Sequence, residues 1–286
     1  MGCELELVLC GEDRNHLVAA AEEAFEEVHR LEEQLSVFRP DSEISYINAL
    51  APKGWVRVEP RLYELLETAA RLSVETEGAF DITAGRLIDL WDSAGSVPAE
   101  ISGTTGEIVF DPDDNAVRFS NPDMKLNLGA IGKGYAARQI AELLTDRGIE
   151  NALISAGSST VYALGSLPDE DAWRIGIRNP VNQSERITSV LLKNQALSTS
   201  GSHGRFVEID GRRYSHLIDP RTGRPAEGLL LASVITADPI EGEALSTAFF
   251  ILGLEKAQEY CEAHPDVAAI IVREGPEVIT IGGVSQ

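Results

Sequence analysis

Glu243, Ser246 and Thr247, in the segment EGEALSTAFF, stand at i, i+3 and i+4, so on a helix they share one face. A carboxylate and two hydroxyls placed this way are hard oxygen donors, the kind that hold Mg²⁺ together with water and phosphate oxygens. The same spelling describes an N-terminal turn with a solvated acid and hydroxyls bonded back to helix carbonyls, so the triplet alone leaves both readings open.

Lys133 stands between Gly132 and Gly134 in KLNLGAIGKGYAARQI, residues 125–140, where a strand-like run passes into a helix-like one. Backbone amides at such a junction, with one lysine, are the parts of a phosphate cradle. The segment is not a P-loop: Gly134 follows the lysine where a metal-binding hydroxyl belongs, and Gly129 lies too close to be the first glycine. Nor is it a dinucleotide fingerprint, because the acid that should end the next strand is missing, Glu150 coming before NALIS. The expectation is a cradle whose message lies in its other residues and not in its glycines.

A third stretch, QALSTSGSHGRFVEIDGRRYSHLIDPRTGRP, crowds hydroxyls with His203 and His216 around a hairpin. His216, just beyond a strand, has the chemistry to give or take a proton near neutrality, although an isolated histidine is also a common structural residue. His203 reads as a loop residue. Asp219 to Gly223 form a turn, and Arg221 and Arg224 are expected to meet solvent and a local acid in preference to phosphate. In TEGAFDITAGRLIDLW, Phe80 and Trp91 offer aromatic surface to a planar ring or to the core, with core expected for Trp91. Asp81 can accept bonds from a ligand ring or cap the next helix, and the local sequence favours the cap.

What must position these groups is a chain of 286 residues, enough for one large domain or two closely joined ones. Its formal charge of -22, from 46 acids against 24 bases, argues against capture of nucleic acid or an anionic membrane by bulk field. A polyanionic ligand must then be met locally, by a helix N-terminus, a few cations or a metal held by carboxylates. Cys3, Cys10 and Cys261 have no metal-ligand spacing, and their odd number argues against a complete disulfide framework. No apolar run approaches a membrane span of about 20 residues and no signal segment opens the sequence, so the chain as given reads as soluble, without a transmembrane segment.

CELELVLCG alternates like a half-buried strand. The following helix, residues 13–36, places Leu17, Ala21, Ala24, Val28, Leu31 and Leu35 on one stripe. A second helix is expected over residues 60–78, with Pro60 in its first turn and Gly78 at its end. Strands follow at EIVF and AVRF, a helix carries Tyr135, Ile140, Leu143 and Leu144 to Gly148, and NALISAG reads as a buried strand. Beyond WRIGIRNP the pattern is strand-rich, with a hairpin at Asp210-Gly211, then helical segments at IEGEALSTAFFILG and KAQEYCEAHP and strands at VAAIIV and EVITI. This mixed order predicts an α+β fold with mainly antiparallel sheets and packed helices, not a doubly wound one.

Taken in order, LSVFRPDSEISYIN, GAFDITAGRLIDLW, LNLGAIGKGYA, ALISAG, WRIGIRNP, ALSTSGSHGRF, YSHLIDPRTGRP and EALSTAFFILG resemble the ApbE family of FAD:protein FMN transferases. The likeness spans nearly the whole chain, and so implies a single ApbE-like domain over residues 1–286 with a T-fold-related architecture. It also implies a Mg²⁺-dependent enzyme whose substrate is FAD. FMN passes to a threonine hydroxyl of an acceptor protein, and AMP is released. By position, the resemblance makes Met1, Phe38, Ala79, Phe80, Asp81, Asn127, Lys133 and Ile218 contacts to FAD. It makes Ala130, through its backbone carbonyl, a metal ligand with Glu243, Ser246 and Thr247. Lys133 and Mg²⁺ would neutralise charge on the reacting phosphorus, and His216 would assist proton transfer or hold the adenylate side.

The chain departs from the family's pattern at Glu243, where aspartate is common, at Arg138, where aspartate is usual, and at Ser158-Ser159, after Gly157, where a second glycine and an aspartate often stand. Two alternatives remain at this level: a Mg²⁺-dependent pyrophosphatase cutting FAD to FMN and AMP, and a noncatalytic FAD-binding protein.

Overall fold

The computed structural model describes residues 4–93, 103–202, 206–209, 211–273, 275 and 277–285. In chain order its elements are β1 (Leu5–Cys10), α1 (Arg14–Leu35), α2 (Glu43–Leu50), β2 (Val56–Arg57), α3 (Pro60–Glu75), α4 (Gly85–Asp92), β3 (Ile108–Asp111), β4 (Ala116–Phe119) and α5 (Gly132–Asp146). The chain continues through β5 (Asn151–Ala156), β6 (Thr160–Leu164), β7 (Trp173–Arg178), β8 (Arg186–Leu192), β9 (Gln195–Gly201), β10 (Phe206–Ile209), β11 (Arg212–Ser215) and β12 (Ile218–Asp219). It ends with β13 (Arg224–Pro225), β14 (Leu229–Thr236), α6 (Pro239–Leu252), α7 (Leu254–Ala263), β15 (Ala268–Arg273) and β16 (Val278–Ile281). These elements form two compact units, one of residues 1–31, 131–203 and 228–286, the other of residues 32–130 and 204–227.

The first unit is built on a seven-stranded sheet in the order β1-β5-β6-β9-β14-β15-β16. Its neighbouring strands all run antiparallel. Strand alternation gives the sheet two different faces. On one, Leu197, Leu231, Ile235, Ile270 and Val272 pack against Trp173, Ile177, Val190 and Leu192 of the β7-β8 hairpin. On the other, Ala152 and Ile154 of β5 meet Ala137, Ile140 and Leu144 of α5 and Ala20 and Ala24 of α1. The α1 stripe anticipated from the sequence is thus the buried one, with Leu17 and Val28 packed at its margin.

Further along that second face the character changes. Leu197 points into the apolar layer, so Ser198 and Ser200, its neighbours on β9, point the other way, toward α6. Thr160 of β6 is paired with Ser198 and also reaches α6. The sheet thus offers α6 a row of hydroxyls where an ordinary sandwich would offer methyl groups.

The second unit holds α2, α3, α4 and small antiparallel sheets, β2-β4-β3, β10-β11 and β12-β13. Pro60 opens α3, and Glu77 and Gly78 follow it with φ of 54° and 76°, the left-handed turn expected at that end. The two-residue hairpin is present: Ile209 pairs with Arg212, and Gly211 has φ 75°; Asp210 lies outside the described residues.

Of the two short helices, α2 is absent from the sequence reading, and α4 enters it only as the helix that Asp81 was expected to cap. Each has 8 residues, too few turns for periodicity to speak clearly, although Ser42 caps α2 by accepting from the Ser45 amide. Asp81 does not cap α4: the N-cap there is Ala84 with no side-chain bond, and Asp81 Oδ1 accepts from the Thr83 amide at 2.7 Å in a local turn.

Candidate active site

α5 begins without a side-chain cap of its own, Ile131 standing at the N-cap position. Its first amides would be orphans in a buried setting, and they are satisfied from far along the chain. Glu243 Oε2 accepts from the amides of Lys133 and Gly134, each at 3.1 Å. Glu243 Oε1 meets the Lys133 ammonium at 2.6 Å and accepts from the Thr160 hydroxyl. The carboxylate is only 5% exposed, and the four bonds fill the lone pairs of its two oxygens. The anion at this helix N-terminus, where the sequence predicted a phosphate cradle, is in this structure the protein's own carboxylate.

Backbone proximity makes this possible. A Cβ added to Gly134 would lie 2.2 Å from the Pro239 carbonyl oxygen, so α5 can approach the start of α6 only through a glycine at this position. Gly242 is similarly placed, its added Cβ falling 2.8 Å from Thr236 Oγ1 and 3.0 Å from Ser198 Oγ. The expectation that the glycines carry no message is corrected here: Gly134 holds the two helix starts together, and that contact delivers Glu243 to Lys133.

Ser246 and Thr247 do share a face with Glu243, as their spacing predicts. Ser246 Oγ donates to the Glu243 carbonyl at 3.0 Å, the back-bonded arrangement, and Ser200 Oγ lies 3.0 Å from Ser246 Oγ and 3.3 Å from Thr247 Oγ1. Ser198 Oγ is buried with no hydrogen-bond partner. Among the described residues no three His, Cys, Asp or Glu side chains converge as a metal site. The donors here are one carboxylate and several hydroxyls, which in kind suit a hard divalent cation; the positive charge at Glu243 Oε1 is the Lys133 ammonium. Thr160 and Ser200 were missed by the sequence reading, since a threonine or serine in a strand is spelled alike whichever face it lines.

The departures noted in the sequence have local accounts in part. Arg138 sits on the exposed side of α5, pairing with Glu142 at 3.0 Å and with Asp238 at 3.2 Å. Asp238 is the N-cap of α6 and accepts from the Ile240 amide at 2.9 Å, so Arg138 links the cap of one helix to the body of the other. Gly157, Ser158 and Ser159 form the β5-β6 turn, with Gly157 at φ 64° and the Ser159 carbonyl accepting from the Thr199 amide at 2.7 Å.

In the second unit the segment around Asn127 is clamped from two sides. Asn48 of α2 exchanges bonds with Leu126, donating to its carbonyl at 3.0 Å and accepting from its amide at 2.7 Å. On the other side, the Asn127 amide donates to the Ile82 carbonyl and the Gly85 amide to the Lys125 carbonyl, both at 2.8 Å. A Cβ on Gly85 would lie 2.6 Å from that carbonyl. The turn bearing Ala79, Phe80 and Asp81 is thereby brought beside the segment bearing Asn127 and Ala130.

Ala79 and Phe80 are buried, each 1% exposed, and Ile218 packs with Ala84, Leu87 and Trp91, so these residues can present little beyond backbone to a ligand. Phe38 is the opposite, 90% exposed. Burial raises the Asp81 carboxyl above its ordinary value, partly offset by its bonds to Thr83. His216 is half-buried just before β12. Trp91 is core, as expected, its Nε1 donating to the Gly223 carbonyl at 3.0 Å. Arg221 meets a local acid, as expected, and that acid is Asp219. Met1 and His203 lie outside the described residues.

A helix-covered antiparallel sheet whose acid is wired to a glycine-flanked lysine defines the class, and comparison with known proteins gives the family: the chain belongs to the ApbE family, whose model matches residues 1–271. Among curated relatives, the FAD:protein FMN transferase of Klebsiella pneumoniae (strain 342) is 31% identical over 277 residues, 93% of this chain and 85% of that protein. The FAD:protein FMN transferase of Escherichia coli (strain K12) is 30% identical, covering 84% of this chain and 73% of that one. The crystal structure of the ApbE protein from Thermotoga maritima superposes with a TM-score of 0.89 at 31% identity, over 98% of this chain and 94% of that one. The apo flavinyl transferase ApbE of Pseudomonas stutzeri gives 0.80 at 28%, over 99% and 95%. The predicted α+β, mainly antiparallel fold is the observed one. No helix among the described residues is long and apolar enough to cross a membrane.

Proposed function

We propose that this chain is a Mg²⁺-dependent FAD:protein FMN transferase, moving FMN from FAD to a threonine hydroxyl of an acceptor protein with release of AMP. The observation that carries the reading is the meeting of Lys133 with Glu243, 110 residues apart, beside the hydroxyls of Thr160, Ser200, Ser246 and Thr247. An ammonium and a face of hard oxygen donors at one helix N-terminus are what a strongly acidic chain needs to accept a pyrophosphate. The names of the curated relatives support the same chemistry.

In this reading Glu243, Ser246 and Thr247 hold Mg²⁺ and the Ala130 carbonyl contributes to the same ion. Bound there, the ion would supply positive charge to the pyrophosphate and polarise the phosphorus under attack. Lys133 turns its ammonium to the phosphate oxygens and neutralises the charge they gain. Thr160 keeps the Glu243 carboxylate oriented. His216 takes the proton that the threonine hydroxyl loses as its oxygen bonds to phosphorus and the bond from phosphorus to the AMP oxygen breaks. Phe38 offers its open ring to the flavin, while Asp81, Asn127 and the backbone of Ala79, Phe80 and Ile218 fix FAD by hydrogen bonds.

The test is to incubate purified protein with FAD, with and without Mg²⁺ and with and without a threonine-bearing acceptor protein, and to measure AMP and gel-stable flavin fluorescence. Transfer predicts flavin fixed to the acceptor, only with Mg²⁺. AMP formed equally without acceptor would mark a pyrophosphatase instead, and FAD bound but never cleaved would leave only a binding protein.

A further inference from the structure

We infer that Lys133 is an internal counter-cation at Glu243 that a divalent ion must displace, so that metal binding itself releases the lysine toward the substrate phosphates. The inference rests on the metal reading above and goes beyond it by coupling the two cations. Its basis is saturation. Both Glu243 oxygens have their full complement of partners, two backbone amides on one and Lys133 Nζ with Thr160 Oγ1 on the other. A metal cannot bond Oε1 while both of those donors remain.

Of these partners, the side-chain ammonium is the one free to leave. The amides belong to the first turn of α5, which Gly134 locks against the Pro239 carbonyl, and Thr160 is fully buried in a central strand. The Lys133 side chain keeps 20% exposure on a flexible four-carbon stem, against 5% for Glu243, so it has a route out of the carboxylate that the other donors lack. A like charge arriving at Oε1 gives it the reason to take that route. In the paired state, then, Lys133 neutralises a carboxylate that would otherwise be buried and uncompensated. In the exchanged state it is an unpaired ammonium one side-chain length away. Thr160 is the positioning residue that keeps Oε1 aimed at the position the two cations share.

The coupling has a quantitative signature. If Lys133 sits on Glu243 about nine-tenths of the time or more, the apparent Kd for the ion is about tenfold or more above the intrinsic one, and removing the lysine restores the difference. Mn²⁺ alone, followed by electron paramagnetic resonance, reports that affinity without any turnover. Lys133→Met is expected to bind Mn²⁺ about tenfold or more tightly than wild type, and Glu243→Gln to lose the site. Because Lys133→Met can fail to fold, trace acetylation of Lys133 in the wild-type protein, read by mass spectrometry, measures the release directly. Its rate should rise about tenfold or more as Mn²⁺ saturates, because the fraction of Lys133 released from Glu243 goes from about one-tenth or less toward one. In Glu243→Gln it should be high from the start and insensitive to Mn²⁺. Mn²⁺ bound in a Glu243-dependent way with Lys133 acetylation unmoved overturns the exchange and leaves the metal reading standing. No Mn²⁺ binding in wild type overturns both.

Discussion

Two ion pairs, one in each compact unit, show how differently a carboxylate and a cation can be brought together. Asp219 takes its cation from two residues on: Oδ1 accepts from the Arg221 amide at 3.0 Å and from Nε at 2.8 Å, and Oδ2 accepts from the guanidinium at 2.8 Å. The pair closes a turn, its arginine is 35% exposed, and the carboxylate holds the guanidinium above its ordinary value by hydrogen bonding. Glu243 takes its cation from across the fold. Its pair is deeper, and it depends on a helix start, a strand register and a glycine contact all being right at once. The turn pair is local chemistry that any chain with this sequence could make. The Lys133-Glu243 pair exists only in the folded unit, where it neutralises a buried charge.

Four substitutions grade that difference. The largest effect is expected for Lys133→Met, which leaves Glu243 buried and uncompensated; loss of about 3–5 kcal/mol in denaturant unfolding is the prediction, together with loss of flavin transfer. Unchanged stability would mean that the pair does not persist in solution. Gly134→Ala comes next, because its methyl would meet the Pro239 carbonyl at 2.2 Å. Separating the helix starts should cost about 1–3 kcal/mol and lower turnover as well, since Glu243 and Lys133 move apart. A variant as stable and active as wild type would sink the packing argument.

Asp219→Asn tests the other side of the comparison. The turn keeps the bonds to Oδ1 from the Arg221 amide and Nε but loses the charge and the Oδ2 acceptor of the outer guanidinium nitrogen. Thermal unfolding should therefore shift by about 1 kcal/mol, and flavin transfer should be retained. Smallest in stability is Asp81→Asn. Burial raises the Asp81 carboxyl in the folded protein, so the folded state holds that proton more tightly than the unfolded chain. The ionised carboxylate is therefore a destabilising element above the raised value, relieved as pH falls through it toward the ordinary carboxylate range. Asp81→Asn should flatten that rise in stability on acidification and raise stability at neutral pH, while weakening FAD binding if Asp81 meets the ligand. A pH series of melting temperatures beside a flavin-fluorescence titration reads both.

The regular elements were legible because their signals are local. A 22-residue helix repeats its apolar stripe many times, and a glycine with positive φ after Asp210 predicts a hairpin from two residues. The short helices α2 and α4 offered too few repeats. Asp81 shows a different failure: its sequence suited a cap, and the local turn to Thr83 took its oxygen instead.

From the sequence alone came the α+β class, the resemblance to the ApbE family and the triplet Glu243, Ser246 and Thr247 on one helical face, all of which follow from spacing or from the order of blocks along the chain. Only the tertiary structure decided what the glutamate holds. Strand parity turned Thr160, Ser198 and Ser200 toward α6, and Gly134 let α5 come close enough for its amides and Lys133 to close on the carboxylate. A pair separated by 110 residues leaves no periodic trace, because its geometry depends on how sheet and helices stack and not on any local repeat. The lysine and the acid were each visible as chemistry; their bond was visible only in the fold.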